Sequence, residues 1–288
     1  MLNMIKQPFI WIGAILSYIQ NHFKALLFIV ILVLIFGSIG EDKLDTPNLG
    51  VIKIEGEITK VDDILANIDK AIKDERIKGV LLHVDSPGGA LAPSIELSMA
   101  VKRLALVKPV VAYAAGSMTS GSYYASIWSN YIIANPGAFI GSIGVLFQAP
   151  NVSELAKKLG ISEQIITAGE YKQMGTFTRE WTPKERGALK ELIDDAYGLF
   201  IKDVALARGL DATKPENFAN ARVFIAEKAL HVKLIDEVGS IAEAKAKLVE
   251  LSGVKTAIWE KPDTVDKWMK KLESSSKLPI FNLMGYLR

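Results

Sequence analysis

Cysteine is absent from the 288 residues of the chain. Its absence excludes disulfide bonds, a cysteine nucleophile and thiolate metal sites in one step. The charge is nearly balanced, at +2 from 34 basic and 32 acidic residues, and no long run carries one sign. A nucleic acid requires a concentrated basic surface, so we expect no nucleic-acid partner.

Histidine is almost as scarce, with three copies at His22, His83 and His231. A serine nucleophile usually needs a histidine as its base. His22 borders an apolar run, His83 lies within an apolar strand, and His231 falls between two helical stretches. None of these settings is typical of a triad base, so an activated serine in this chain would need a different base.

A long uncharged run is the first positive signal. Residues 25–40, extended back to residue 21, give a segment of about 20 residues, which is the length that spans a bilayer. A cleaved signal peptide is the alternative, but Ser38-Ile39-Gly40 offers only a weak small-residue exit site. We therefore expect an uncleaved, single-pass anchor helix. Lysines precede the run and acidic residues follow it, which places the N-terminus in the cytoplasm.

Strand-like and helix-like patterns alternate after the run. The apolar spacing predicts strands at residues 49–54, 79–84 and 109–115, and helices at residues 61–73 and 93–106. This alternation predicts an α/β domain with a largely parallel, buried sheet. Further strands are predicted at residues 131–134, 144–147 and 165–168, and helices at residues 151–158 and 183–208.

Three regions follow from these patterns. Residues 1–45 form an N-terminal cytoplasmic segment and membrane anchor, and residues 46–253 form the α/β domain. Residues 254–288 form a basic, aromatic tail, which could lie on a membrane surface or dock on a neighbouring subunit. A poorly ordered terminus fits the composition of the tail equally well.

A cluster of serines and glycines, GSMTSGSYY at residues 116–124, lies between a predicted strand and a predicted helix. Glycine permits a sharp turn there, and the N–H groups at a helix start favour developing negative charge. We interpret Ser120 as a nucleophile on this turn. The alternative is an ordinary turn, since serine and glycine are common turn and cap residues.

Lysine is the next candidate for the base once histidine is set aside. Lys172 lies in AGEYKQMG, at the end of a predicted strand with glycines on both sides. A buried lysine loses its charge because desolvation penalises the ammonium, and lowering its pKa from about 10.4 to about 7 requires some 4 to 5 kcal/mol. A solvated loop lysine is the alternative.

Two glycine motifs complete the candidate site. In DSPGG at residues 85–89, the backbone N–H groups of Gly88 and Gly89 could point at a carbonyl oxygen, as in an oxyanion hole. A tight turn between strand and helix fits the same residues. In GSIG at residues 141–144, Ser142 is either a turn residue or a hydroxyl that holds the lysine by a hydrogen bond.

Four motifs together resemble the signal peptide peptidase A family. DSPGG at residues 85–89, SMTSGSYY at 117–124, GSIGV at 141–145 and GEYK at 169–172 occur in the family's order and with similar separations. The resemblance covers residues 49–253 and the N-terminal anchor. It implies a crotonase/Clp-protease-like spiral fold and a homo-oligomeric serine endopeptidase in the bacterial inner (plasma) membrane, with its catalytic domain on the outer side.

The resemblance also implies a role for each motif residue. Ser120 corresponds to the nucleophile, Lys172 to the general base, Gly88 and Gly89 to the oxyanion donors, and Ser142 to the hydroxyl that orients the lysine. No metal or other cofactor is implied. The chain departs from the pattern at Ser122, where family members often have glycine, and at Thr119, where they more often have alanine; neither change removes a required group.

The implied substrates are hydrophobic signal peptides left in the membrane after cleavage. The chain is similar to the short form of the family, in which one site can need residues of a neighbouring subunit. Two alternatives stay open: a membrane-anchored protease specific for one membrane-protein partner, and a non-catalytic scaffold on a crotonase-like fold. The presence of both Ser120 and Lys172 argues against the scaffold.

Overall fold

The computed structural model describes residues 17–29, 32 and 46–260. The chain divides into two compact units, Met1–Thr46 and Pro47–Arg288. In the first unit, residues 17–29 are helical (α1) and exposed. No helix among the described residues is long and apolar enough to cross a membrane. Residues 30, 31 and 33–40 of the predicted anchor, and residues 261–288 of the predicted tail, lie outside the described residues.

The second unit begins with three strand–helix pairs. These are β1 (Leu49–Ile58), α2 (Asp62–Lys73), β2 (Gly79–Gly89), α3 (Leu91–Ala105), β3 (Val110–Thr119) and α4 (Gly121–Ser126). They are followed by β4 (Tyr131–Ala134), β5 (Phe139–Gly141), α5 (Ser153–Lys158), α6 (Pro183–Arg208), a 3-10 turn (Pro215–Asn217), β6 (Val223–Ile225), α7 (Ala226–His231), β7 (Glu237–Val238) and α8 (Ile241–Ser252).

The strands form one mixed sheet in the order β1-β2-β3-β4-β7. All neighbours in this order are parallel, which confirms the predicted α/β class. Strand β3 is long enough to pair twice along one edge, with β4 beside its first half and β5 beside its last three residues. Strand β6 is antiparallel to β5 and makes the sheet mixed.

The sheet is covered by apolar side chains on both faces. On β2, Val80, Leu82 and Val84 belong to the larger core, which also contains residues of α3, α4 and α6. Leu81 faces the other way and packs with Leu248 of α8. Strands buried on both faces read as continuous apolar runs, which is why these strands were visible in the sequence.

Helix α6 has the predicted bounds, 183–208. Thr182 accepts a hydrogen bond from the Glu185 N–H, and the Glu185 side chain accepts one from the Thr182 N–H, forming a capping box. Pro183 occupies the first turn, and Gly209 ends the helix in the left-handed region with φ 63°.

Two predicted strands are wrong. Residues 144–147 do not form a strand, because Gly141 and Ser142 adopt φ values of 100° and 51° and turn the chain out of the sheet after β5. Residues 165–168 also lack a partner strand, and Ile166 is fully exposed. An apolar run forms a strand only where a neighbour accepts its backbone hydrogen bonds.

Strand β2 also extends further than predicted. The prediction ended it before DSPGG, but β1 continues alongside it, and Ile58 pairs with Gly89. At the other end of the chain, residues 254–260 lie against β1: Trp259 bridges to Leu49, and the carbonyl of Ile258 accepts the Leu49 N–H at 3.1 Å.

Candidate active site

Ser120 lies at the junction between β3 and α4, which we call the serine turn (residues 119–122). Its backbone has φ 53° and ψ −123°, an unfavourable conformation for a residue with a side chain. The Ser120 N–H donates to the Gly141 carbonyl at 2.7 Å, and its own carbonyl accepts the Tyr124 N–H at 3.0 Å. These bonds on both sides hold the strained residue in place.

Glycine is required where β2 meets the serine turn. Gly88 has φ 96°, and a Cβ added there would lie 2.6 Å from the Gly121 nitrogen and 2.8 Å from the Ser120 Cβ. A Cβ added at Gly121 would lie 2.1 Å from the Ser94 Oγ. The end of β2 therefore presses directly against Ser120 and the start of α4.

The other two serines of the cluster have structural partners. The Ser122 hydroxyl is buried, donates to the Ser86 carbonyl at 2.7 Å, lies 2.9 Å from the Thr119 carbonyl, and accepts the Thr119 N–H at 2.9 Å. It ties β2 to the serine turn, which accounts for serine at this position. The Ser117 Oγ lies 3.0 Å from the Thr119 Oγ1.

Ser120 opens into a cavity of about 390 Å³. Gly89 and Ser142 line it beside Ser120, and one wall is apolar, formed by Leu91, Tyr124, Val145, Leu146 and Phe200. Ser117 and Ser122 do not line the cavity, and neither does a histidine. Of the three clustered serines, Ser120 alone faces a space that could hold a peptide side chain.

The aromatic wall of this cavity is held rigidly. The rings of Tyr124 and Phe200 stack at 4.4 Å with an interplanar angle of 9°. The Tyr124 hydroxyl donates to Asp203 at 2.5 Å. Burial, followed by this hydrogen bond to a carboxylate, raises the pKa of Tyr124 well above its ordinary value, so the phenol stays protonated.

Two glycines beside Ser120 are candidates for the oxyanion donors. Gly89 lines the cavity, whereas the Gly88 N–H donates to the Ser86 Oγ at 3.2 Å. Gly121 also lines the cavity, and its N–H, at the first position of α4, has no acceptor within the helix. The sequence interpretation missed Gly121; the signal was its place directly after the candidate nucleophile at a helix start.

Ser142 is brought next to the serine turn by β5. It lines the cavity with φ 51°, and its N–H donates to the Arg222 carbonyl at 2.8 Å. The preceding residue, Gly141, supplies the carbonyl that binds the Ser120 N–H. Ser120 and Ser142 are therefore on one side of the same cavity.

Lys172 is not brought to this cavity. It lies in an exposed turn, where its N–H donates to the Gly169 carbonyl at 3.2 Å. The turn belongs to residues 144–178, which we call the lysine segment. No residue of the lysine segment is buried, and several large apolar side chains stand exposed, with Leu159 at 65% and Ile166 at 103%.

An α/β domain with a partly exposed serine on a strained strand-to-helix turn is typical of hydrolases that use a serine nucleophile. The model of peptidase family S49 matches residues 102–255, more than half of the chain. The chain belongs to peptidase family S49. The matched residues contain Ser120, Ser142 and Lys172, and the resemblance to the signal peptide peptidase A family is confirmed at the level of this family.

Two curated relatives illustrate the match. A putative protease of Synechocystis sp. is 35% identical over 185 residues, covering 64% of this chain and 67% of the relative. A putative signal peptide peptidase SppA of Enterococcus faecium is 31% identical over 186 residues, covering 63% of this chain and 53% of the relative. The matched part of this chain thus spans between about half and two thirds of these relatives.

Among solved structures, a mutant of a membrane-bound stomatin-specific protease aligns with a TM-score of 0.48 and 19% sequence identity. The alignment covers 76% of this chain and 100% of that chain.

Proposed function

We propose that the chain is a serine endopeptidase with Ser120 as its nucleophile. Membership of a peptidase family supports this activity. The observation that carries the residue assignment is that Ser120, among the three serines of its cluster, lines the cavity on a strained turn beside Gly89 and Gly121. Its side chain can meet a peptide carbonyl while backbone N–H groups stand nearby.

In the proposed mechanism, neutral Lys172 takes the Oγ proton of Ser120 as Oγ attacks the carbonyl carbon of the scissile peptide. The resulting oxyanion is stabilised by the N–H groups of Gly89 and Gly121. Gly88 contributes only if its N–H turns away from Ser86. Lys172 then protonates the leaving amine, and a water deprotonated by the same lysine hydrolyses the acyl-enzyme. Ser142 orients the lysine through its hydroxyl.

We assign the catalytic Lys172 to a second copy of the chain. Lys172 does not line the cavity of its own chain, and the lysine segment exposes apolar side chains along its length. Exposed apolar surface of this extent is typical of an interface. A homo-oligomer in which the lysine segment of one copy packs against the serine turn of the next would desolvate the lysine and complete the site.

The proposed substrates are hydrophobic signal peptides. The apolar wall of the cavity suits an apolar side chain, and a relative from Enterococcus faecium carries the name of a putative signal peptide peptidase. An anchor at residues 21–40 would hold the domain at the outer side of the bacterial inner membrane, where cleaved signal peptides remain. The fold proposed for the domain is the crotonase/Clp-protease-like spiral.

The function is tested with full-length protein in detergent and a synthetic hydrophobic signal peptide, followed by mass spectrometry of the products. We expect internal cleavage by the wild type and by Ser117→Ala, and none above background by Ser120→Ala or Lys172→Ala. Activity in Ser120→Ala would overturn the assignment. No cleavage by the wild type would favour the scaffold, and cleavage of one membrane protein in preference to signal peptides would favour the partner-specific protease.

A further inference from the structure

Glu57 is the one side chain with a full charge among the residues that line the cavity. The remaining lining is apolar, small or hydroxyl-bearing. Glu57 lies on β1 just after Gly56, at a break in the β1–β2 register, and its Cα pairs with Gly88. It therefore stands one strand away from the glycines that contact the serine turn, on the same cavity as Ser120.

The Glu57 carboxylate has no partner in the described part of the chain. Neither a salt bridge nor a side-chain hydrogen bond connects it to residues 46–260, although its neighbour on the strand, Glu55, pairs with Lys53 at 2.7 Å. Glu57 is exposed, so its carboxylate at the rim of the apolar cavity attracts a cation with the modest strength of a surface ion pair.

We infer that Glu57 is a specificity-determining residue that binds a lysine or arginine side chain of the peptide, close to the residue held by the apolar wall. The inference rests on the proposed peptidase function and deepens it. The substrate class becomes apolar peptides with a flanking basic residue. The carboxylate also repels peptides that carry an acidic residue at the same position. Glu57 thus favours basic residues and disfavours acidic residues there.

The test uses an apolar peptide of leucine and alanine with a single lysine, placed in turn at each of three positions on either side of the cleaved bond. The matched control peptides carry acetyl-lysine, which keeps the length of the side chain and removes its charge. Cleavage is measured with the full-length wild type, Glu57→Gln and Glu57→Lys. The control variant is Glu55→Gln, which removes a carboxylate two residues away that does not line the cavity.

For one of these lysine positions in the peptide, we expect the wild type and Glu55→Gln to prefer lysine over acetyl-lysine. The expected preference is about two- to fivefold in kcat/KM, the range for partly exposed ion pairs. Glu57→Gln should abolish the preference and Glu57→Lys should reverse it. The preference should shrink as salt is raised from about 0.05 to 0.5 M, because screening weakens exposed charge pairs. Equal cleavage of both peptides by the wild type at every position would overturn the inference and leave the peptidase function intact.

Binding of the same peptides to Ser120→Ala, measured by fluorescence anisotropy, separates the inference from the function. Preferred binding of lysine peptides that is lost in Ser120→Ala/Glu57→Gln would support the inference even if the wild type cleaved nothing. If Glu57→Gln lowers kcat equally for all peptides, Glu57 acts on the catalytic lysine and not on the substrate. That result would overturn its role in specificity.

Discussion

The serine turn and the lysine segment differ in almost every physical respect, although both carry motifs of the same family. Residues 121–127, which continue the serine turn, are all buried, whereas no residue of the lysine segment is. The serine turn is held by hydrogen bonds to β2 and β5. The half of the site with the proposed nucleophile is thus built within one chain, and the half with the proposed base is left open.

Two glycines, one beside the serine turn and one in the lysine segment, show this difference. Gly88, beside the serine turn, and Gly169, in the lysine segment, have nearly the same φ, 96° and 97°. A side chain at Gly88 would collide with three backbone or Cβ atoms, whereas nothing lies within 4 Å of the Cβ position at Gly169. Their φ angles are nearly the same, but the packing around them differs.

Replacing Gly88 by alanine should have the largest effect. The new Cβ must displace Ser120 or Gly121, in addition to the backbone strain, so we expect a loss of about 2 to 5 kcal/mol in unfolding free energy and at least a hundredfold loss in activity. Gly169→Ala adds strain alone and should lose about 1 to 2 kcal/mol. Urea unfolding of both variants measures the difference. Equal losses would show that packing does not distinguish the two regions.

A charge placed on the lysine segment tests whether a second copy covers it. Ile166→Lys should dissociate the proposed oligomer and lower activity at least tenfold, because Lys172 would then no longer reach the serine of the next copy. The matched control is Leu206→Lys on α6, at a position that is 68% exposed. Light scattering and peptide cleavage report the two effects. An unchanged mass together with full activity in Ile166→Lys would contradict the shared site.

The aromatic wall of the cavity beside Ser120 should lose stability when the Tyr124 hydroxyl is removed. Tyr124→Phe keeps the stack on Phe200 but leaves Asp203 without its donor, and we expect a loss of about 1 to 2 kcal/mol in unfolding free energy. Tyr171→Phe, in the exposed lysine segment, should change the unfolding free energy by less than about 0.5 kcal/mol. Thermal unfolding measures both, and a larger loss in Tyr171→Phe would reverse the comparison.

The smallest expected effect concerns the end of the lysine segment. Arg179, just past this end, donates two hydrogen bonds to Glu185 of α6, and these bonds, followed by the Thr182 N–H, lower the pKa of Glu185 from 4.5 to about 2. Because the folded-state pKa is depressed, the stabilisation is complete above pH 4.5 and is lost as the pH falls towards 2.

Arg179→Gln should therefore reduce the difference in urea midpoint between pH 6 and pH 3. Lys184→Gln is the control, since Lys184 pairs with Glu170 while both side chains are largely exposed. An unchanged difference in Arg179→Gln would mean that Arg179 does not set the pKa of Glu185.

The sequence was sufficient where short-range chemistry decides the structure. Helix α6 has its predicted ends because a capping box, a proline and a glycine mark them locally. The parallel pairing of β1, β2 and β3 was predicted from buried apolar runs alternating with helices. The turn between β3 and α4, with Ser120 at its centre, was predicted from the position of its glycines.

The sequence was insufficient where the outcome depends on distant partners. Residues 165–168 resemble a strand but find no neighbour, and β2 continues through DSPGG only because β1 runs beside it. The separation of Lys172 from Ser120 in one chain could not be predicted from motif order, because order carries no distances. Glu57 became visible only when the cavity brought it beside Ser120.

Labelling with a fluorophosphonate, which reacts covalently with activated serines, tests the central claim most directly. The full-length wild type, Lys172→Ala and Ser120→Ala are incubated with the probe, digested and mapped by mass spectrometry. We predict a single adduct on Ser120 in the wild type, slower labelling by at least a hundredfold in Lys172→Ala, and none in Ser120→Ala. An adduct on Ser117 or Ser142, or wild-type labelling rates in Lys172→Ala, would contradict the serine–lysine assignment.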